Sequence, residues 1–364
     1  MRDALDTLRA VVAFGLPGAA PPAGTRCLQL SSGVIALAAT HRVHGLLWAA
    51  VEGGVLAGDE EVVAEAREGF LAALRTCLVA EETALLALDA LGSAGVDTRV
   101  LKGIAIAHLD HDDPGGRIFG DADILVRRDD YGRALVALTD AGFRRAEPPV
   151  RSWWEHRFGK AIVLDSPTGG ELDLHLAITG GYFGERIDHD ELWSSSSQPF
   201  ELGGHMARAL DREARLLHAC CHAVLGGNSG LRAKHDIAQL LLTSGADWDA
   251  TLARAQRHGV ELVLAEGVRT TWKELSLDHA HPAARWAEGY VADPAQQRAL
   301  AGYTAASAEG WAPEGRTILA ALSLPDRVRF VLGLAVPSRD SLRFRHRTWR
   351  QHLRLGAAAL RGGS

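Results

Sequence analysis

The chain has 364 residues, 47% hydrophobic and 23% charged, with a formal net charge of -6. This is ordinary for a folded globular protein and excludes a disordered or fibrous chain; the length exceeds what one core usually serves, so two or three packed units are expected. Four cysteines (Cys27, Cys77, Cys220, Cys221) without a Cys-x-x-Cys pair exclude a disulfide framework.

The opening Met-Arg-Asp-Ala-Leu-Asp lacks the apolar core of a signal peptide, and no apolar run approaches the roughly 20 residues of a membrane span. A cytoplasmic protein with no membrane partner is expected. From Leu324 onward there are nine Arg against two Asp, so the remainder is acidic. Such a basic end reaches phosphates or pairs with acidic surface of its own chain; the second reading is favoured. Lysine is rare: Lys102, Lys160, Lys234 and Lys273 are the four among 39 basic residues.

Residues 2–14 read as a short amphipathic helix and residues 18–24 as a linker. A second helix is expected behind Ser31 or Ser32 as N-cap. From Asp59 to about Leu91, apolar residues recur at three- and four-residue spacing, a long helix closed by Gly92 and Gly95. The period then changes. Residues 97–102 read as a strand, Ile104–Leu109 as a helix and Asp110–Gly116 as an acidic loop. Ala122–Val126 is a strand, and 129–141 a helix ended by Gly142. Strands around Lys160–Leu164 and Glu171–His175 flank a turn at Ser166–Gly170. Beyond Phe200 the chain reads as helical through Asp211–Leu225, Leu231–Leu242, Trp248–His258 and on to Leu355. The fold class is therefore α/β (α+β). A small mixed-sheet core over 96–200 is flanked by an N-terminal helical region, 1–95, and a C-terminal one, 201–364.

The chemistry concentrates in that core. Asp121 and Asp123 stand two apart at a strand, so both point to one face. Carboxylates that close repel, and a divalent cation resolves the repulsion; magnesium favours carboxylates combined with substrate phosphates. Glu171 and Asp173 repeat the pattern on a later strand, with His175 aligned behind them. Carboxylates on neighbouring strands are what two-metal phosphoryl displacement requires. Lys102-Gly103 carries a strand into a helix, where Gly admits phosphate oxygens, the helix start favours an anion, and Lys102 adds a compact positive charge. Taken singly, each piece has a bland reading as solvated or turn residues; their order along the chain favours function.

The segments Val100-Leu-Lys-Gly-Ile-Ala105, Arg117-Ile-Phe-Gly-Asp-Ala-Asp-Ile-Leu-Val126 and Glu171-Leu-Asp-Leu-His175 resemble the uncharacterised nucleotidyltransferase family of the DNA polymerase beta-like superfamily. The resemblance continues at Leu216–His222 and Leu231–Ala238. It implies a phosphate turn at Lys102-Gly103 and metal carboxylates at Asp121 and Asp123. A third carboxylate is implied at Asp173, with Glu171 as its rival. Two magnesium ions and a nucleoside triphosphate (NTP) co-substrate are implied with them. Many superfamily members carry Gly-Ser or Gly-Gly at the turn, whereas this chain has Lys-Gly followed by Ile104.

The function so implied is transfer of a nucleoside monophosphate to a small-molecule or peptide acceptor, with pyrophosphate released. The rival reading is a non-catalytic nucleotide-binding regulatory or antitoxin-like protein of the same fold. No nucleic-acid module is recognisable, so nucleic acid is disfavoured as a partner, and without a Walker motif so is a P-loop kinase.

Other residues have two readings. Arg117 holds a phosphate or pairs with Asp110, Asp112 or Asp113. His218 and His222 have zinc-ligand spacing without a third ligand, and a helix face lining the cleft is preferred. His222, Lys234 and Asp236, with Glu171 and His175, are candidates for the substrate pocket. Trp153 and Trp154 either stack on a base or pack internally, and Gly180–Gly184 reads as an acceptor-side lid.

Overall fold

The computed structural model describes residues 2–19, 27–226, 230–304, 313–345, 348–352 and 354. Most of the expected linker, from residue 20, and Leu355 lie outside them. The chain opens with α1 (Arg2–Ala13), β1 (Leu28–Gln29), α2 (Ser32–His41), α3 (His44–Glu52), β2 (Leu56–Ala57) and the 34-residue α4 (Glu60–Ser93). Ser31 caps α2 and Asp59 caps α4, each accepting from a backbone N–H three residues on. Small residues form the buried stripe of α4 (Ala66, Cys77, Ala80, Ala84, Ala87), so the helix lies close against what it covers.

The mixed α/β unit follows: β3 (Thr98–Val100), α5 (Lys102–Asp110), β4 (Ala122–Val126), α6 (Tyr131–Asp140), β5 (Arg144–Arg145), α7 (Ser152–Phe158), β6 (Ala161–Asp165), β7 (Glu171–His175), α8 (Gly181–Gly184), α9 (His189–Ser194), β8 (Gln198–Leu202) and β9 (His205–Ala209). Seven strands form one sheet in the order β5-β6-β7-β4-β3-β9-β8. β4 pairs parallel to β7 and antiparallel to β3, and every residue of β4 is buried, as its unbroken Ala-Asp-Ile-Leu-Val run suits a central strand.

The strand pair β8–β9 departs from the expected helical stretch beyond Phe200. Gln-Pro-Phe-Glu-Leu and His-Met-Ala-Arg-Ala are joined by Gly203-Gly204, both at positive φ (54° and 82°). Only a pair such as Gly-Gly adopts that turn freely, and its twist matches a hairpin. The sheet therefore runs past residue 200. The helix α7 was not expected either; in it Trp154 packs on Phe158 and Phe330 and donates Nε1–H to the Phe330 carbonyl, so it is internal.

The rest is helical: α10 (Arg212–Leu225), α11 (Leu231–Leu242), α12 (Trp248–His258), α13 (Glu261–Leu275), α14 (Pro282–Gly289), α15 (Pro294–Thr304), α16 (Pro313–Ala321), α17 (Leu324–Ala335) and α18 (Arg339–Phe344). Among the described residues, two large cores emerge. One packs α4 against the sheet and α6; the other joins α1–α3 to α10, α11 and α13. The two ends of the chain thus share one apolar core. The described arginines of α17 and beyond are exposed; Arg329 pairs with Asp326 of its own helix, and Arg327 donates to the Leu322 carbonyl. No helix among the described residues is long and apolar enough to cross a membrane.

Candidate functional site

Register places the central residues. Asp123 of β4 stands directly opposite Asp173 of β7 in the parallel pair, and His175 lies two residues further along. The Leu101 N–H donates to the Asp123 carbonyl at 2.9 Å, which delivers the next residue, Lys102, to the same spot. Lys102 opens α5 at φ +38°, and its ammonium contacts Asp123 Oδ1. Among the described residues, the other non-glycine residues at positive φ, Arg42 and Ser276, are C-caps of α2 and α13. Lys102 is not, so strain is stored at the one turn where a side chain must reach a buried carboxylate.

Asp123, Asp173 and His175 each offer a ligand atom within 4.8 Å of the others. His175 sets its Nε2 2.8 Å from Asp123 Oδ1 and its Nδ1 3.2 Å from the Ala177 carbonyl. Burial, reinforced by Lys102, pushes the His175 pKa down, so the ring is neutral and carries one proton for two acceptors. A cation at Nε2 removes that conflict, because the ring then donates Nδ1–H to the carbonyl, the usual orientation of a metal-bound histidine. The donor set therefore fits a divalent metal.

The two carboxylates are tuned apart. Burial raises Asp123, but Lys102 and the His175 hydrogen bond outweigh it and hold its carboxyl well below the usual range. Asp173 is pushed up to about 6, by burial first and then by the Asp123 charge, with Asp121 and Glu171 adding. Asp121 precedes β4, half-buried, and the converging group takes His175 in its place; its charge still reaches Arg117 and Asp173. Glu171 lies exposed at the outer end of β7.

Arg117 departs from both expected roles. Its guanidinium forks onto Asp236 of α11 (Nε–Oδ1 3.1 Å, Nη2–Oδ2 2.7 Å), and both residues are buried. Asp110 pairs with Arg215 instead, at 2.8 and 3.0 Å. Asp236 therefore anchors structure beside the turn. Gly103 also has a packing reason: a Cβ there would lie 2.7 Å from the Phe119 Cβ and 3.2 Å from Arg117 Nη1. Because that neighbour is stiff, Gly103→Ala is expected to cost about 1–3 kcal/mol in a urea unfolding titration and to lower turnover. Unchanged stability would show that the turn relaxes freely.

His218 and His222 of α10 line a small cavity with Lys102, Arg117 and Asp236. Burial and then Lys102 push His222 down to about 3 and hold His218 far below its usual value, so both are neutral walls of the cleft. Lys234 points elsewhere: its charge sits among Arg9 of α1 and Glu274 of α13. The Lys102–Asp123 contact and His175 as a ligand were the features that sequence reasoning missed. The signal for His175 was its place two residues beyond Asp173 in one strand; no sequence pattern pointed to the Lys102–Asp123 contact.

Carboxylates meeting across two central strands, behind a strand-to-helix turn, define a nucleotidyltransferase-type protein. Residues 31–273 match the family described as uncharacterised nucleotidyltransferase, and the chain belongs to that family. A search of curated proteins gives no match. Among solved structures, an antigenic nucleotidyltransferase-like protein from Paracoccidioides brasiliensis is similar at 16% identity and TM-score 0.32, over 55% of this chain and 93% of that one.

Proposed function

We propose that the protein is a magnesium-dependent nucleotidyltransferase that moves a nucleoside monophosphate from an NTP to a small-molecule or peptide acceptor. The observation that carries this is the meeting of Asp123, Asp173 and His175 beside Lys102 at the start of α5. The acceptor nucleophile bonds to the α-phosphorus as the bond to the β-phosphate oxygen breaks, and pyrophosphate leaves. Asp123 and Asp173 would hold the cation, with His175 beside them and Asp121 the nearest candidate for a second ion. Two carboxylates suit magnesium; the imidazole also suits manganese. A bound cation would neutralise charge on the phosphates. Lys102 offers them its ammonium, and the Asp173 carboxylate is suited to take the acceptor's proton.

The test is to incubate the protein with magnesium or manganese, each labelled NTP and a panel of acceptors, and to follow pyrophosphate and labelled product. Nucleotide binding with no turnover on any acceptor would favour the non-catalytic reading. A second measurement addresses the metal. Asp173 holds its proton more tightly folded than unfolded, so the metal-free protein loses stability as pH rises from about 4 to 6, by on the order of 2 kcal/mol. Asp173→Asn removes that loss. Magnesium needs the ionised form, so the rise in melting temperature on adding it is expected to be absent at pH 5, to develop through pH 6, and to be absent at every pH in Asp173→Asn. A shift that survives in the variant would place the metal elsewhere.

A further inference from the structure

The helix α17 is apolar on two sides. Its inner side is held to the body of the protein: Phe330 packs with Trp154 and Phe158, Trp154 donates its indole N–H to the Phe330 carbonyl, and Asp326 takes Arg157 at 3.0 Å. On the opposite side Leu324, Val328, Val331, Leu332 and Ala335 recur at three- and four-residue spacing, and all five are exposed, Leu324 at 75% and Val328 at 67%. At 3.6 residues per turn they fill one arc of about 100°, with Arg327 bordering one edge and Arg329 the other. Packing of α17 on its own chain needs only the inner side. A contiguous exposed apolar face rimmed by polar residues marks an interaction surface.

Charge decides what covers it. From Leu324 to Arg354 the described residues include seven arginines, all exposed, against Asp326 and Asp340. Arg329, Arg343 and Arg345 meet Asp326, Asp340 and Glu147 in surface pairs at 3.3, 3.9 and 3.9 Å, which are weak, and the surface stays positive. A second copy of the chain would set like-charged rims against each other. A nucleic acid would take the arginines and leave the apolar arc in water. An anionic bilayer takes both, because its headgroups neutralise the arginines and its acyl boundary receives the arc. Trp349 fits the same surroundings. It lies edge-on to His352, whose Nε2 is 2.9 Å from the Leu334 carbonyl, so an exposed indole stands beside α17, and indoles favour the headgroup level.

We propose that α17 docks the protein on anionic membrane surfaces, lying in the headgroup plane with its apolar arc inward. Twelve residues reach about 18 Å, well short of a hydrocarbon core of about 30 Å, so the helix lies on the bilayer and does not cross it. The expectation of no membrane partner rested on spanning segments alone. This inference is independent of the nucleotidyl-transfer reading.

Flotation of the full chain tests it, with vesicles of phosphatidylcholine alone and of phosphatidylcholine mixed with phosphatidylglycerol. Binding to the mixed vesicles is expected, about tenfold or more stronger than to the neutral ones, and weakening as salt rises. Val328→Ser combined with Leu332→Ser should weaken it about tenfold or more. Arg339→Gln combined with Arg343→Gln should weaken it several-fold and flatten the salt dependence. All four positions are exposed, so the urea midpoints should match the unaltered protein, and the arginine pair carries the test if the apolar pair fails to fold. No binding to mixed vesicles, or binding indifferent to the apolar pair in a folded variant, would overturn the proposal. Self-association in sedimentation that the apolar pair abolishes, without vesicle binding, would overturn it in favour of a second copy.

Discussion

Asp123→Ala is expected to abolish pyrophosphate release, lowering initial rates by about three orders of magnitude or more. It is also expected to destabilise the fold. Its carboxylate is the counter-charge of Lys102 and the partner of His175, and its side chain is 2% exposed. Removing one member of a buried pair strands the other, which costs about 3–5 kcal/mol. Loss of turnover in that variant alone would be ambiguous, so Asp123→Asn is the informative companion. It keeps the shape and an acceptor oxygen for His175 but halves the ligand capacity and leaves Lys102 without its counter-charge, so it should lose less stability than Asp123→Ala while still losing turnover. Full activity in Asp123→Asn would remove this carboxylate from the proposed chemistry.

The largest effect on stability alone should come from Asp236→Ala. Arg117 and Asp236 are each only 4% exposed at the side chain, and Arg232 lies near enough that burial and then the Arg117 charge bring its pKa down to about 10. Without Asp236, the buried Arg117 guanidinium loses its ion-pair partner beside the half-buried Arg232. A loss of about 3–5 kcal/mol is expected in urea unfolding. The double replacement Arg117→Met with Asp236→Leu should recover most of it, since an apolar pair of similar volume avoids the desolvation of both ions. If the double variant is as unstable as the single one, the pair is fixed by its hydrogen-bond geometry and not by charge balance.

How much of this was legible in the sequence follows from range. The strand carrying Asp123, the strand carrying Asp173 and His175, and the Lys-Gly entry to α5 are local patterns of period and turn chemistry, and they stand where the sequence analysis put them. The β8–β9 hairpin was local too, but its Gly203-Gly204 turn was passed over in favour of the helical run that follows. The Arg117–Asp236 pair spans 119 positions, and no single-sequence pattern joins them. The same holds for Lys102 and Asp123, brought together by one backbone hydrogen bond between neighbouring strands. Sequence spacing therefore located the acidic residues of the site and left open which cations neutralise them.

The core shared by the two ends of the chain has a consequence for biosynthesis. His235 of α11 bonds through Nδ1 to the carbonyl of Val12 in α1, 223 positions earlier. At 5–20 residues per second, α1 leaves the ribosome roughly ten to forty-five seconds before the surface that buries it exists. During that interval the apolar side chains of α1, among them Leu8, Val11 and Val12, have no permanent neighbour on α11 or α13. The α/β unit is translated in full within the same window, so it is the first part of the chain able to close, and the helices at both ends assemble around it afterwards.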